Sequence, residues 1–240
     1  MSQLKEYIDK SLSSNFTEEG ILSDSEINKL TVYSHNKTGK KLVLIRSLNR
    51  NDGVFRALKC KDTNGLLPRI YEVSTEEDAL YVLEEFVDGV TLHEKYKNSA
   101  PDKNEFKNIL ISLCDALGIL HSLKIIHRDI KPNNVMIRKD STLCLVDLSI
   151  AKIINENEKD TINLGTVGYA APEQFGLSQS SPATDIYAFG VLANRILLGV
   201  HPTTQTPNGK IGKIIKKCTS TQIEDRYQNT QELKKALTHI

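Results

Sequence analysis

Cysteine is scarce and scattered. Cys60, Cys114, Cys144 and Cys218 stand far apart, with no C-x-x-C spacing. The histidines outside the motif described below (His35, His93, His121, His201 and His239) have no metal-ligand spacing either, and surface or core positions explain them. These absences exclude a disulfide framework or a zinc module and predict free thiols in a reducing cytoplasm. No charge of one sign dominates: 31 Lys+Arg face 30 Asp+Glu, for a net charge of +1. A chain so balanced carries no overall footprint for nucleic acid or a membrane surface. No long hydrophobic run exists. The most apolar stretch, Val191 to Val200, is interrupted by Asn194 and Arg195 and is too short to span a bilayer. The N-terminus lacks a charged-then-apolar signal pattern, and repeats and low-complexity tracts are absent. What remains is 240 residues, 39% hydrophobic and 25% charged, enough for one large domain or a two-lobed unit.

Periodicity divides the chain. Leu4, Tyr7, Ile8 and Leu12 fall at helical spacing, which predicts a short amphipathic N-terminal helix within an extension over residues 1–22. Over 23–88 short strand patterns follow. Thr31 to Tyr33 and Lys41 to Leu48 flank the turn residues Asn36-Lys37-Thr38-Gly39. Ile70 to Val73 and Leu80 to Val87 form a second strand pair, with a short helix over Val54 to Cys60 between the hairpins. Over 89–240 helices dominate. Phe106, Ile109, Leu110, Leu113, Leu117 and Leu120 mark a long core-facing helix. Asp185 to Leu198 is apolar on nearly every side, as a central helix should be, and Leu233, Ala236 and Leu237 close the chain on a last helix. The fold class is therefore α+β: a small antiparallel-sheet lobe, then a larger, mainly helical one.

The chemistry is concentrated in His127-Arg128-Asp129-Ile130-Lys131-Pro132-Asn133-Asn134, followed by Asp147. Phosphoryl transfer needs little covalent chemistry from a protein. It needs a proton acceptor for the attacking hydroxyl, positioned cations, and neutralised phosphoryl oxygens. Asp129 supplies the carboxylate and Lys131 a cation within reach of the transferring group. Asn134 and Asp147 are hard oxygen donors suited to Mg²⁺.

This segment resembles the catalytic loop of the eukaryotic-like (bacterial Hanks-type) serine/threonine protein kinase family. Asp147-Leu148-Ser149 stands where that family has D-F-G. Gly165-Thr166-Val167-Gly168-Tyr169-Ala170-Ala171-Pro172-Glu173 resembles the end of its activation segment, and Asp185-Ile186-Tyr187-Ala188-Phe189-Gly190 the start of its central helix. The resemblance implies a two-lobed kinase fold with ATP and Mg²⁺ as cofactors. Asp129, Lys131 and Asn134 would be catalytic, with Asn134 and Asp147 on the metal. Arg46, the backbone of Glu85 and Val87, and the apolar Met136 would contact the nucleotide. It further implies that Asp185 braces the catalytic loop, Arg226 pairs with Glu173, and Thr166 bonds Asp129 and Lys131. The partners implied are proteins phosphorylated on Ser or Thr, with Arg128 pointing to control by activation-segment phosphorylation at Thr161 and a regulatory partner or dimer possible. The wording of Gly168 to Gln174 resembles bacterial members. A small-molecule phosphotransferase shares the Asp…Asn…Asp skeleton but lacks the Ala171-Pro172-Glu173 block and the Asp185 helix start.

The small lobe departs from the family. No glycine occurs from Ile21 to Thr38, and the glycine-loop positions fall at Ser25, Ile27 and Leu30. Val43-Leu44-Ile45-Arg46 stands where V-A-I-K is usual, so a forked guanidinium replaces an ammonium. No glutamate occurs between Arg46 and Glu72, so the usual helix partner of that cation is missing, and only Asp52 is acidic near its position. Ser149 replaces the glycine of D-F-G. These losses keep a second reading open, a pseudokinase acting as a nucleotide-binding or scaffolding module.

Overall fold

The computed structural model describes residues 10, 12–49, 52–76, 79–154, 165–176 and 179–240. The predicted N-terminal helix falls mostly on residues outside these, and so does Thr161. The chain divides into two compact units, one of residues 1–63 and 68–87, the other of 64–67 and 88–240.

The first unit is a five-stranded antiparallel sheet of β1 (Phe16–Asp24), β2 (Asn28–His35), β3 (Lys41–Ser47), β4 (Ile70–Thr75) and β5 (Leu80–Glu85), in the order β1-β2-β3-β5-β4. Alternation sets its faces. Val32 stands opposite Val43 and Ile45 opposite Val82, giving one aliphatic face on which the three valines are buried and Ile45 is half-buried. Leu44, Arg46, Tyr81 and Leu83 share the other face, where all four are half-buried. The predicted hairpin turn closes as expected, with the Gly39 amide donating to the His35 carbonyl at 2.8 Å and Gly39 at φ +67°. Helix α1 (Gly53–Lys59) buries Val54, Phe55 and Leu58 and packs on β4.

Strand β1 crosses position 22, so the sheet takes up residues that the sequence reading placed in the N-terminal extension. All of it past Phe16 is exposed, and a strand without a buried face leaves no alternation to read. Its connection to β2 is a tight turn locked by Ser25. The Ser25 amide donates to the Asn28 carbonyl at 2.9 Å, and the Asn28 amide donates to Ser25 Oγ at 3.0 Å.

The second unit is mainly helical: α2 (Leu92–Lys95), α3 (Lys103–Ser122), α4 (Pro182–Leu198), α5 (Gly209–Cys218) and α6 (Thr230–Leu237). Strands β6 (Gly89–Thr91), β8 (Val135–Arg138) and β9 (Leu143–Leu145) form a small antiparallel sheet, while β7 (Ile125–Ile126) pairs with β10 (Lys152–Ile153). Residues 64–67 join this unit because the Leu145 amide donates to the Leu66 carbonyl at 2.9 Å and Arg138 to that of Gly65 at 3.2 Å. Asp102 caps α3 by accepting from the amides of Asn104 and Glu105. The six apolar residues that predicted α3 are all buried. Helix α4 is central: twelve of its residues are buried, and Gly190 lets α5 approach, since a Cβ there would lie 2.6 Å from Cys218 Cβ.

One ion pair ties this unit together. Glu173 and Arg226 are both buried and meet through two bonds, Nη1 to Oε1 at 2.7 Å and Nη2 to Oε2 at 2.9 Å, with Thr184 Oγ1 also donating to Oε1. Burial works to raise the Glu173 pKa, but Arg226 and the further hydrogen bonds bring it below its ordinary 4.5. The carboxylate is thus stabilised in the fold, so its contribution is full above pH 4.5 and is lost as pH falls below that value. Glu173→Gln or Arg226→Met leaves the other charge buried alone and is expected to cost about 3–5 kcal/mol in urea unfolding at neutral pH. For Glu173→Gln, the gap from wild type should narrow on acidification.

Candidate active site

The site begins with a carboxylate that never meets water. Ser181 and Pro182 start α4 and set Asp185 in its first turn, fully buried. Its Oδ1 accepts the Arg128 amide at 2.9 Å, and its Oδ2 accepts the His127 amide at 3.0 Å and His121 Nε2–H at 2.8 Å. Burial pushes the Asp185 pKa up, but the His121 hydrogen bond, the His121 and His127 rings and the Arg128 amide hold it below its ordinary value. His121 Nδ1 is buried without a hydrogen-bond partner.

The loop backbone is fixed from several sides. Arg128 has φ +68°, a left-handed conformation that a non-glycine residue adopts at a cost. The surroundings hold it there: Gln174 Nε2 donates to its carbonyl at 2.8 Å, and its own Nε donates to the Ile150 carbonyl at 2.7 Å. His127 is fully buried; Nδ1 accepts the Asp129 amide at 3.3 Å and Nε2 donates to the Val146 carbonyl at 3.2 Å. Both ring nitrogens are used structurally.

This frame presents Asp129. Its Oδ1 accepts from Thr166 Oγ1 at 2.6 Å, and its Oδ2 from Lys131 Nζ at 2.6 Å and Asn134 Nδ2 at 2.9 Å. Lys131 Nζ also donates to Thr166 Oγ1 at 2.9 Å. The structure therefore brings Asp129, Lys131 and Asn134 into one hydrogen-bonded group, with Thr166 as its fourth member. A carboxylate so oriented is an acceptor in fixed position, beside a cation suited to a phosphoryl oxygen.

Asn134 and Asp147 are brought close by the β8–β9 ladder. Val135 pairs with Leu145, and the Val146 amide donates to the Asn134 carbonyl at 2.8 Å, one residue short of Asp147. Asn134 Nδ2 also bonds the Asp129 carbonyl at 2.9 Å, so the amide oxygen Oδ1 is the atom left for a cation. Asp147 is exposed, at φ +67°, and its Oδ1 accepts the Ser149 amide at 3.2 Å while Leu148 is buried beside it. Two hard oxygen donors fit Mg²⁺, an ion that keeps several non-protein ligands. No group of three or more His, Cys, Asp or Glu among the described residues could hold a metal.

The other predicted residues are placed as follows. Arg46 lies on β3 with its Nε 3.4 Å from the Tyr81 hydroxyl. The Glu85 amide donates to the Arg69 carbonyl at 2.9 Å. Val87 is buried, and Met136 is half-buried on β8 between Thr91 and Cys144. Asp52 is taken by Arg56 at 2.5 Å and the Thr75 hydroxyl at 2.8 Å. Sequence reasoning missed His121 and Gln174. The signal for His121 was its place on the last turn of α3 just before the motif, where a helical histidine reads as generic core. Asp185→Ala is expected to leave two buried amides unmet, to destabilise by about 3–5 kcal/mol, and to speed amide exchange over 125–134 well beyond that in α3.

The protein kinase domain family matches residues 33–240, starting after the glycine-free turn at the end of β1. A probable serine/threonine-protein kinase of Clostridium acetobutylicum is 30% identical over 208 residues, covering 74% of this chain and 31% of the relative. The probable serine/threonine-protein kinase PknB of Lactococcus lactis is 37% identical over 136 residues, 55% of this chain and 22% of the relative. Serine/threonine-protein kinase PrkC of Bacillus subtilis is 28% identical over 190 residues, 68% and 29% respectively. The chain thus spans less than a third of the length of these relatives. With five motif blocks in order, the expected loop geometry around Asp129 and a family match over most of its length, the chain belongs to the protein kinase domain family.

Proposed function

We propose that this chain transfers the γ-phosphoryl group of ATP to serine or threonine hydroxyls of protein substrates. One observation carries the reading: Asp129, Lys131, Asn134 and Thr166 form a single closed hydrogen-bonded group on a rigidly braced loop. Asp129 accepts the hydroxyl proton as the substrate oxygen bonds to phosphorus. The bond from phosphorus to the β-phosphate oxygen breaks, and ADP leaves with that electron pair. Lys131 neutralises the transferring group, and Thr166 orients Asp129 and lines the hydroxyl's approach. Mg²⁺, held through Asn134 and Asp147, would supply the charge neutralisation that lets the β-phosphate depart. Arg46, the backbone of Glu85 and Val87, and Met136 are the proposed nucleotide contacts. Lys131 and Thr166 together favour Ser or Thr over Tyr as acceptor.

The cytoplasm is the proposed setting. All four cysteines are free thiols, three of them buried, as a reducing compartment favours. No helix among the described residues is long and apolar enough to cross a membrane.

The pseudokinase reading draws on the first unit. The amides of Ser25 and Asn28 are spent within their own turn, and Asp52 is spent on Arg56. The retained group around Asp129 weighs against it. Incubation with Mg²⁺ and γ-labelled ATP separates the two. Labelling of a generic protein acceptor is expected, reduced about 10²–10⁴-fold in Asp129→Asn and abolished by chelation of the metal. No label in the wild type, with ATP still raising its melting temperature, would establish the pseudokinase instead.

A further inference from the structure

Arg195 lies on α4, a helix buried over most of its surface, and is itself half-buried. A cation withdrawn from water in this way is ordinarily matched by a carboxylate. Arg195 has none among the described residues. Its close partner is the Tyr169 ring, 4.8 Å from the guanidinium carbon to the centroid. Its Nε–H is buried with no hydrogen-bond acceptor. Stacking is not how this fold otherwise settles a buried arginine. Arg226 stacks on Tyr187 at 4.9 Å and has Glu173 as well.

The place of this charge is specific. A Cβ on Gly168 would lie 3.1 Å from Arg195 Nη2, so the guanidinium presses against the turn from Thr166 to Tyr169. That turn is closed by the Tyr169 and Ala170 amides, each donating to the Thr166 carbonyl at 3.0 Å. Thr166 is the residue whose hydroxyl bonds Asp129. Val167, between Thr166 and Gly168, is 85% exposed, which marks the outer side of the turn as open surface. Arg195 also acts on its other neighbour, His201, whose ring is held below its ordinary pKa by burial and then by the Arg195 charge.

We infer that Arg195, seated on Tyr169 against the Thr166–Tyr169 turn, is an anion subsite that selects acceptor polypeptides carrying a carboxylate or phosphate near the Ser or Thr to be modified. A half-buried guanidinium with no carboxylate partner among the described residues offers such groups charge-assisted hydrogen bonds that a neutral side chain cannot make. The word acceptor rests on the phosphotransfer reading; the binding itself does not require turnover.

The test is fluorescence anisotropy of the full chain, without nucleotide, against labelled Ser-centred peptides. They differ only in the flanking residues, which are Gln, Glu, phosphoserine or Arg. The Glu or phosphoserine peptide is expected to bind at least about tenfold more tightly than the Gln peptide, the gain from one charge-assisted contact. Arg195→Gln should erase that difference, and Arg195→Glu should turn it toward the Arg peptide, with melting curves confirming that both variants fold. A phosphoserine peptide well ahead of the Glu peptide would support a phosphorylated source, and equal affinities a carboxylate source. Equal binding of all four peptides, no binding of any, or a preference that survives Arg195→Gln would overturn the inference. Arg195-dependent binding in a chain that transfers no label would refute the phosphotransfer reading and leave the subsite standing.

Discussion

Asp185 is a charge buried where water cannot solvate it, and it survives because three donors converge on it. Two are the amides of His127 and Arg128, and the third is the His121 ring. The same contacts that stabilise the carboxylate hold Arg128 in its left-handed conformation. That conformation turns the chain so that Asp129 faces Thr166, Lys131 and Asn134. Without the brace, the strain at Arg128 is opposed by fewer contacts, and the acceptor carboxylate is held less firmly. The buried Glu173–Arg226 pair does similar service one step further out. It anchors the 3₁₀ turn Pro172–Phe175, whose Gln174 reaches back to the Arg128 carbonyl.

The two units have been held to different standards by their chemistry. In the second, Asp129, Lys131, Asn134 and Thr166 bond one another, and the residues that would move a proton or neutralise a phosphoryl group are all retained. In the first, the sheet is sound but its polar groups are committed internally. The β1–β2 turn closes on itself through Ser25, and Asp52 closes on Arg56 and Thr75. A turn whose amides are spent offers little to phosphate oxygens. In the proposed reaction, the phosphates therefore depend on Asn134, Asp147 and the metal they would hold, rather than on backbone donors from that hairpin.

How much of this the sequence disclosed depended on whether the signal was local. Helix α3 was legible because six buried residues repeat at helical spacing, and the catalytic loop because its residues are contiguous. Thr166 and Arg226 lie far along the chain from their partners, and only resemblance to a family joined them to Asp129 and Glu173. Strand β1 left no trace because it buries almost nothing, so the boundary at residue 22 fell inside it. His121 was unreadable for the opposite reason, since a histidine on a core-facing helix looks the same whether or not a carboxylate waits beside it. Arg195 was read as a break in an apolar run, and only packing shows that its charge has no carboxylate partner among the described residues.

The central claim is that the phosphoryl chemistry is held by the braced loop and its oxygen donors despite the altered sheet. Calorimetric titration of ATP in the presence of Mg²⁺ and in the presence of a chelator tests this most directly. The account predicts affinity at least about tenfold higher with the metal, a gain lost in Asp147→Asn. Equal affinity with and without metal would contradict it and would shift the phosphate contacts to groups the account leaves idle.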